Sequence, residues 1–472
     1  MEKKNIWEFY SSKQLKQLEA YCQDYRRFLD AGKTERECVT AAVDIIEAAG
    51  YRELDKLTAK SKLKAGDKVY RVLMNKTIVM FHLGASPLEE GLNILGAHID
   101  SPRLDVKQNP LYEEDGLAYL DTHYYGGVKK YQWVTIPLAL HGVVVKKDGT
   151  TIHVNIGEDE KDPVFFVSDL LPHLAAEQME KKASKVIEGE ALDIIVGNKP
   201  LAVKEKKDNK DGDNKDEAKE AIKKNILEIL KKTYGIEEDD FISAELEVVP
   251  AGRAREAGFD RSLILAYGQD DRVCAYAGLT ALLECEKPKR TACLILADKE
   301  EIGSVGATGM ESRFFENSVA ELMERTGDYS ELKLRRALAS SFMLSTDVGA
   351  AYDPFYKGSF EKKNSALLGH GVIFKKFTGA RGKSGANDAG AEYIGKLRQL
   401  MDKENIRFQT AELGKVDVGG GGTIAYILAS YAMYVIDCGV PVLNMHAPWE
   451  ATSKADAFEA KRAYAAFLQK IS

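Results

Sequence analysis

Four apolar segments of the sequence end in acidic or imidazole side chains, the groups that hold divalent metal ions and transfer protons in enzymes. The segments are LNILGAHID, TACLILADKEEIG, SSFMLSTDVG and GVPVLNMHAP. A pair of carboxylates also stands directly before the apolar stretch RVCAYAGL. Ligands of α/β proteins bind at the carboxyl ends of strands, so we expect these side chains to converge. The candidate residues are His98, Asp100, Asp270, Asp271, Asp298, Glu300, Glu301, Asp347 and His446.

Carboxylates brought together in this way need a countercharge, because otherwise they repel one another and take up protons. Two divalent cations would supply it, and a mixture of imidazole and carboxylate ligands suits zinc, manganese or cobalt. Two such ions about 3.5–4 Å apart form a hydrolytic arrangement that activates a bridging water and polarises a scissile carbonyl. The pattern therefore predicts metal-dependent hydrolysis.

Each of these features, taken alone, also has an ordinary structural explanation. A single histidine after a strand is commonly a hydrogen-bonded core or surface residue. Adjacent glutamates are typical of a solvated turn, and adjacent aspartates are typical of a helix N-terminus. The pair His98 and Asp100 is more specific, because residues i and i+2 of a strand face the same side, so that the carboxylate can orient the imidazole. The coincidence of four strand ends is what favours a metal site.

The elements that must position these residues follow from the hydrophobic pattern. Thr34 and Glu37 form a Thr-x-x-Glu capping box before an apolar-periodic run that Gly50 ends, which predicts a helix. Strands are predicted at KVYRVLM, TIVMFHL, LNILGAHID and TACLILA, and RVCAYAGLTALLECE has helical spacing. Short β-rich runs such as WVTIPLALHGVVVKK and TIHVNI dominate residues 104–250. After residue 260 strands and helices alternate, as in an α/β domain around a largely parallel sheet.

The sequence therefore predicts an α/β fold with two domains. Residues 1–103 and 251–472 form a discontinuous catalytic domain with a mostly parallel sheet, and a β-rich domain of residues 104–250 interrupts it. The charge-dense segment 204–224 is predicted to be a solvated loop without chemistry. Residues 419–422, four glycines before the predicted helical run TIAYILASYAM, are compatible with a flexible turn or with backbone N–H groups that hold a substrate oxygen. His173 is similarly compatible with a surface role or a functional one.

Composition excludes several classes of protein. The chain of 472 residues is 44% hydrophobic and carries a net charge of −7 with acids and bases well mixed, which argues against disorder and against nucleic-acid binding. No apolar stretch is long enough for a transmembrane helix, and the segment MEKKNIWEFYSS does not resemble a signal peptide. Six cysteines without a Cys-x-x-Cys pair are typical of reduced thiols in the cytoplasm, so the metal ligands must be histidines and carboxylates. There is no Gly-x-Ser-x-Gly nucleophile motif.

Six motifs carry a family resemblance: GAHIDSPRLDVK, GQDDRVCAYAGL, DKEEIGSVGATG, STDVGAAYDP, GGGGTIAYILAS and NMHAP. In these segments, which occur in the family's order, the sequence resembles bacterial members of the aspartyl aminopeptidase family of dinuclear zinc metallopeptidases. The resemblance covers nearly the whole chain. It implies a cytoplasmic aminopeptidase with two zinc, cobalt or manganese ions per subunit that acts on peptides. It also implies that the β-rich domain dimerises and that dimers assemble into a tetrahedral dodecamer, with no nucleic-acid or membrane partner.

The resemblance implies a role for each motif residue. Glu300 would be the general base, and Asp100 would orient a metal-binding histidine. His173 would reach into the site of a neighbouring subunit, and Lys375 would contact an acidic substrate side chain. The implied metal ligands are His98, Asp270 as the bridge between the ions, Glu301, Asp347 and His446.

Two departures limit the inference about the substrate. Ala350 and Asp353 stand where eukaryotic members of the family carry histidines, so a strict preference for N-terminal Asp or Glu does not follow. Two rival functions also remain compatible with the sequence. A deacylase or carboxypeptidase could use a similar site, and an inactive assembly protein could keep the fold.

Overall fold

The structure is a computed structural model that describes residues 4–58, 60–202 and 220–472. The chain divides into two compact units. The first contains Met1–Ser101, Ala254–Met445 and Trp449–Ser472, and the second contains Pro102–Arg253 and His446–Pro448. Within the described ranges, no helix combines the length and the apolar character needed to cross a membrane.

A nine-stranded sheet forms the centre of the first unit. Its four middle strands, including the strand that ends at His98, run parallel to one another, and three other pairings are antiparallel. This arrangement confirms the predicted α/β class. In spatial order the strands are β1 (Arg52–Glu53), β2 (Lys68–Leu73), β3 (Thr77–His82), β13 (Thr291–Ala297), β4 (Leu92–His98), β14 (Phe342–Ser345), β18 (Tyr434–Gly439), β16 (Val372–Lys375) and β17 (Phe408–Thr410).

Helices cover both faces of this sheet, which explains why its strands read as continuous apolar runs. In β4, Leu95 and Ala97 belong to one hydrophobic cluster, whereas Leu92 and Ile94 belong to a second one. Helices α1 (Ser12–Ala31), α2 (Glu35–Ala48), α5 (Gln269–Leu283), α8 (Ala391–Lys403) and α10 (Lys454–Lys470) contribute to the first cluster. Helices α6 (Phe314–Thr326), α7 (Glu331–Ala339) and α9 (Ala425–Ala429) contribute to the second.

The predicted capping box at the start of α2 is confirmed. The Glu37 N–H donates to the Thr34 hydroxyl at 3.2 Å, and the Thr34 N–H donates to the Glu37 carboxylate at 3.1 Å. Two of the orphan donors at the helix N-terminus are thereby satisfied by local side chains. The helix stops just before Gly50, which has a φ of +87°.

A second, five-stranded sheet completes the first unit. The strand before His446 is β19 (Pro441–Leu443), and it belongs to this smaller sheet, whereas the strands before the other three groups of candidate residues belong to the large sheet. The chain leaves the large sheet at Gly439, and Pro441 lacks the N–H that a continuing ladder would need. The other strands, in spatial order with β19 fourth, are β11 (Arg255–Ala257), β12 (Leu263–Ala266), β20 (Glu450–Ser453) and β15 (Gly349–Ala350).

The second unit is built on an antiparallel six-stranded sheet. Its strands, in spatial order, are β8 (Thr151–Ile156), β7 (Leu138–Val145), β10 (Ala244–Pro250), β5 (Arg103–Glu114), β6 (Leu117–Tyr125) and β9 (Ile194–Gly197). Among the described residues of this unit are also the helices α3 (Ala176–Met179) and α4 (Ala221–Ile229).

The predicted charged loop at residues 204–224 lies largely outside the described residues. Its last part is described and is helical rather than a loop, because α4 begins at Ala221. The Glu113 carboxylate accepts the N–H groups of Ile222 and Lys223, both at 2.9 Å, and so caps this helix from another element. A cap that comes from a residue distant in sequence leaves no local signal.

Candidate active site

His98 lies at the centre of a buried cluster of carboxylates in the first unit. It is the last residue of β4 and is 2% exposed. Its Nε2 lies 3.1 Å from Asp270 Oδ1 and 3.9 Å from carboxylate oxygens of both Glu300 and Asp347. Its Nδ1 lies 3.0 Å from the Asp100 carbonyl oxygen and 3.4 Å from the Asp100 carboxylate. The structure therefore brings together five of the residues that the sequence singled out.

Asp100 supports two of the implied functional residues at once. Its Oδ1 accepts the N–H of Glu300 and its Oδ2 accepts the N–H of Glu301, each at 3.1 Å. The two glutamates begin a short 3-10 turn, Glu300–Ile302, which follows the end of β13 at Ala297 after two intervening residues. Asp100 thus positions this turn as well as lying beside His98, a second task that the sequence did not suggest.

Asp298 anchors the same loop. Its carboxylate accepts hydrogen bonds from the Thr308 hydroxyl at 2.5 Å and from the Lys299 ammonium at 3.1 Å. Its N–H donates to the Thr77 hydroxyl at 3.1 Å. These contacts account for Asp298 as a structural residue at the end of the strand.

Asp270 and Asp271 precede the regular part of α5 with non-helical backbone and are joined by a cis peptide bond. The whole helical segment begins after Gly268, which has a φ of +67°, and the Asp271 side chain does not cap the regular part of the helix. Both carboxylates are buried, and the Asp271 oxygens have no hydrogen-bond partner of normal geometry among the described residues. Burying a carboxylate without partners costs free energy, so we expect a cation to bind beside Asp271.

Burial and neighbouring charges perturb the acidity of several groups in the cluster. Burial, together with the charges of Asp347, Asp100 and Asp270, raises the pKa of Glu300 to about 8. Burial raises the pKa of Asp347 to about 6, against the opposing effect of Lys375. Burial is also opposed at His98, where hydrogen bonds to Asp100 and Asp270 raise the imidazole pKa well above its usual range. Burial is therefore the main cause of the raised carboxyl pKa values, and neighbouring carboxylates add to it.

The donor atoms fit divalent metal ions. Two groups of residues place a nitrogen and two carboxylate oxygens within 4.8 Å of one another, and both groups share His98. Imidazole with carboxylate is the donor set of zinc in hydrolytic sites. The first group is His98, Asp270 and Glu301, and the second is His98, Asp271 and Asp347. The sequence noted Asp271 but assigned it no metal, and its position beside Asp270 was the available signal.

Lys375 supplies a buried positive charge near the cluster. It is 6% exposed and its Nζ donates to the Val348 carbonyl at 3.0 Å, one residue after Asp347. Burial opposes its charge, but the carboxylates of Asp347 and Asp437 raise the pKa of Lys375 above its ordinary value. Asp437 is the direct partner of Lys375 across β18 and β16. The lysine therefore stays charged and partly compensates the carboxylates.

The remaining predicted site residues belong to the second unit. The Nδ1 of His446 lies 3.0 Å from the Gly127 carbonyl oxygen. His173 lies in an exposed 3-10 turn at Pro172–Leu174. The metal-ligand role of His446 and the intersubunit role of His173 stay predictions.

The glycines at 419–422 are held by a neighbouring loop. The Gly421 carbonyl accepts the N–H of Gly379 at 2.8 Å. Gly420 has a φ of +137°, and a Cβ there would lie 2.6 Å from the Ala380 Cβ. A close approach between two loops therefore explains glycine at this position.

Comparison with known proteins identifies the family. Residues 28–468 match the family model described as Aminopeptidase I zinc metalloprotease (M18). The chain belongs to this family. A relative from Clostridium acetobutylicum, named as a probable M18 family aminopeptidase 1, is 60% identical over 468 residues, which cover 99% of this chain and 98% of the relative. The protein is thus an M18 metalloaminopeptidase, a hydrolase, as the motifs predicted.

Solved structures agree with the fold. The crystal structure of an M18 aminopeptidase from Thermotoga maritima is 44% identical and matches with a TM-score of 0.93, covering 100% of both chains. The crystal structure of aminopeptidase I from Clostridium acetobutylicum is 56% identical and matches with a TM-score of 0.90, also over 100% of both chains. The two-unit fold of this M18 chain therefore has close structural counterparts along its whole length.

Proposed function

We propose that this M18 aminopeptidase removes the N-terminal residue of peptides with two divalent cations, which are zinc or, alternatively, cobalt or manganese. The observation that carries the proposal is the position of His98, whose Nε2 lies within 3.9 Å of carboxylates from three separate segments of the chain. Carboxylates collected around one imidazole make a cation site rather than a stable buried cluster. The proposed ligands are His98, Asp270 as the bridge, Glu301, Asp347 and His446.

The proposed chemistry assigns the proton transfers to Glu300. When bound, the cations lower the pKa of water and polarise the scissile carbonyl. The Glu300 carboxylate takes a proton from the attacking water and returns it to the leaving amine. Asp100 holds the Glu300 N–H, which fixes the base at the edge of the cluster. Carboxylates that hold the free amine of the substrate restrict cleavage to the first residue.

The variant Glu300→Gln tests the assignment of the base, because it keeps the size of the side chain and removes its basicity. We expect turnover to fall by about 10²–10⁴-fold, the usual contribution of a general base, with metal content unchanged. The matched control is Glu331→Gln, at the exposed start of α7, which should keep full activity. Near-normal turnover of Glu300→Gln with its metals bound would contradict the assignment.

An assay with two kinds of peptide distinguishes an aminopeptidase, which needs a free N-terminal amine, from a deacylase or a carboxypeptidase. Peptides with a free N-terminus should be cleaved, and their N-acetylated counterparts should not. Metal analysis of the same sample tests the alternative that the protein is an inactive assembly protein. Such a protein would hold less than one equivalent of metal, and added zinc, cobalt or manganese would not increase its activity.

The assembly and location follow from the family resemblance. We extend the proposal to a cytoplasmic homo-oligomer, a tetrahedral dodecamer of dimers in which the second unit makes the dimer contact and His173 reaches a neighbouring site. Support comes from exposed apolar side chains in residues 164–174, the stretch of sequence that contains His173, which are Val164, Phe166, Leu170, Leu171 and Leu174. Light scattering on the purified protein measures the number of subunits.

A further inference from the structure

The backbone of Asp270 is held on both sides by buried side chains. The Asp270 N–H donates to Glu450 Oε2 at 3.0 Å, and the Asp270 carbonyl accepts the Ser101 hydroxyl at 2.7 Å. Glu450 and Ser101 are each 1% exposed. The non-helical conformation of Asp270 takes its main-chain groups out of the regular helical pattern, so these side chains supply the partners.

Glu450 is itself held by a hydrogen-bond network that begins in helix α1. It is the first residue of β20 and pairs with Ala266 of β12. The Gln269 side-chain amide donates to the Glu450 carbonyl at 2.6 Å and to the Ile264 carbonyl at 3.0 Å. The Tyr25 hydroxyl, from α1, donates to the Gln269 side-chain oxygen at 3.3 Å. Every member of this network is buried, so its geometry is set by packing and not by solvent.

We propose that Glu450 and Ser101 are positioning residues that fix Asp270 for metal binding. The inference rests on the proposed function, in which Asp270 bridges the two ions. Burial of the Glu450 carboxylate next to other carboxylates is unfavourable. The hydrogen bond that it accepts from the Asp270 N–H offers a functional reason for this burial. Residues that hold a ligand from outside the coordination shell set its orientation and tune metal affinity.

The test measures binding of Co²⁺ alone to metal-free protein, by cobalt absorption and by calorimetry, so the readout does not depend on activity. Glu450→Leu keeps the bulk and removes the acceptor, and we expect affinity to fall about 10–100-fold. Glu450→Gln keeps an oxygen that can accept the Asp270 N–H, and it should restore the affinity of the unmodified protein. Ser101→Ala removes only a hydroxyl and should weaken binding in the same direction.

Glu459→Leu is the matched control. Glu459 is also a fully buried carboxylate that accepts a main-chain N–H, that of Arg407 at 2.9 Å, but it lies in α10 and is not among the metal-donor residues. The Glu459→Leu variant should lose thermal stability and keep the cobalt affinity of the unmodified protein. A Glu450→Leu variant that folds by circular dichroism and binds cobalt normally would overturn the proposal, as would failure of Glu450→Gln to restore binding.

Should Glu450→Leu not fold, Ser101→Ala decides, and an unchanged affinity in that variant overturns the proposal. If the unmodified protein itself takes up no cobalt, the proposed function fails instead, so the two failures are distinguishable.

Discussion

At the scale of single residues, the observed role of Lys375 can be separated from its predicted one. Lys375 compensates the buried charges of Asp347 and Asp437, and its contact with an acidic substrate side chain stays a prediction from the family resemblance. Loss of the first role weakens the enzyme towards every substrate, because the metal-binding carboxylates lose a countercharge. Loss of the second role weakens it only towards N-terminal Asp and Glu. The ratio of activity on acidic to activity on neutral N-terminal residues therefore measures substrate recognition separately from charge compensation.

Lys375→Met should reduce the ratio of kcat/KM for acidic over neutral N-terminal reporters by about 10–100-fold, the value of one hydrogen bond to a charged group. The measurement uses matched reporters that begin with Glu, Asp, Ala or Leu. Lys403→Met, on the exposed face of α8, should leave the ratio unchanged. A Lys375→Met enzyme that is slower on all reporters but keeps its preference would assign the lysine to charge compensation alone.

The sequence predicted the site residues whose signals are local and missed those whose partners are distant. His98, Glu300 and Asp347 directly follow apolar runs, so their grouping could be inferred from the rule for strand ends. Glu450 also lies close after a predicted ligand, in NMHAPWE, but its contact with Asp270 spans 180 positions. No spacing rule connects such residues, and only the packing of β20 against β12 does so.

At the scale of elements, periodicity predicted the strands well and their partners less well. KVYRVLM, TIVMFHL and TACLILA are strands of the large sheet, as their apolar runs indicated. The run that contains β18 and β19 divides between two sheets at a Gly-Val-Pro step, which the pattern of apolar residues does not reveal. TIAYILASYAM looked helical over its length, but α9 covers only Ala425–Ala429. Tertiary contacts decided these cases.

The end of β18 makes a close approach that positions a proposed ligand. A Cβ at Gly439 would lie 1.7 Å from the Asp347 carbonyl oxygen and 2.4 Å from its carbonyl carbon. These are backbone atoms and cannot rotate away. Gly439→Ala should therefore displace Asp347 and reduce both cobalt affinity and turnover by at least about tenfold, as ligand misplacement does in other metal sites.

Gly395→Ala is the control for this prediction. Gly395 lies within α8, where a Cβ would meet nothing within 4 Å, and alanine favours the helix by up to about 1 kcal/mol. It should keep activity and gain slightly in thermal stability. Normal cobalt affinity in Gly439→Ala would show that the strand end tolerates a shift and does not determine the position of Asp347.

At the scale of the whole molecule, the negative charges of the site couple metal binding to stability. The carboxyl of Glu300 has a pKa of about 8 in the folded protein without metal, against a reference value of 4.5. Between these values the folded protein holds a proton that the unfolded chain has released. The metal-free protein therefore loses stability as pH rises from about 5 to 8. Bound cations oppose this loss of stability, because they supply the positive charge that the proton otherwise supplies.

The thermal stabilisation produced by metal should thus grow with pH. We expect the difference in Tm between zinc-loaded and metal-free protein to be small near pH 5 and to increase towards pH 8, with protons released on binding. Scanning calorimetry across this range measures the first quantity, and titration in buffers of different ionisation enthalpy measures the second. The Glu300→Gln variant should show a weaker pH dependence, because its side chain carries no proton to release. A difference in Tm that is largest at pH 5 would mean that the crowded carboxylates are not where the cations bind.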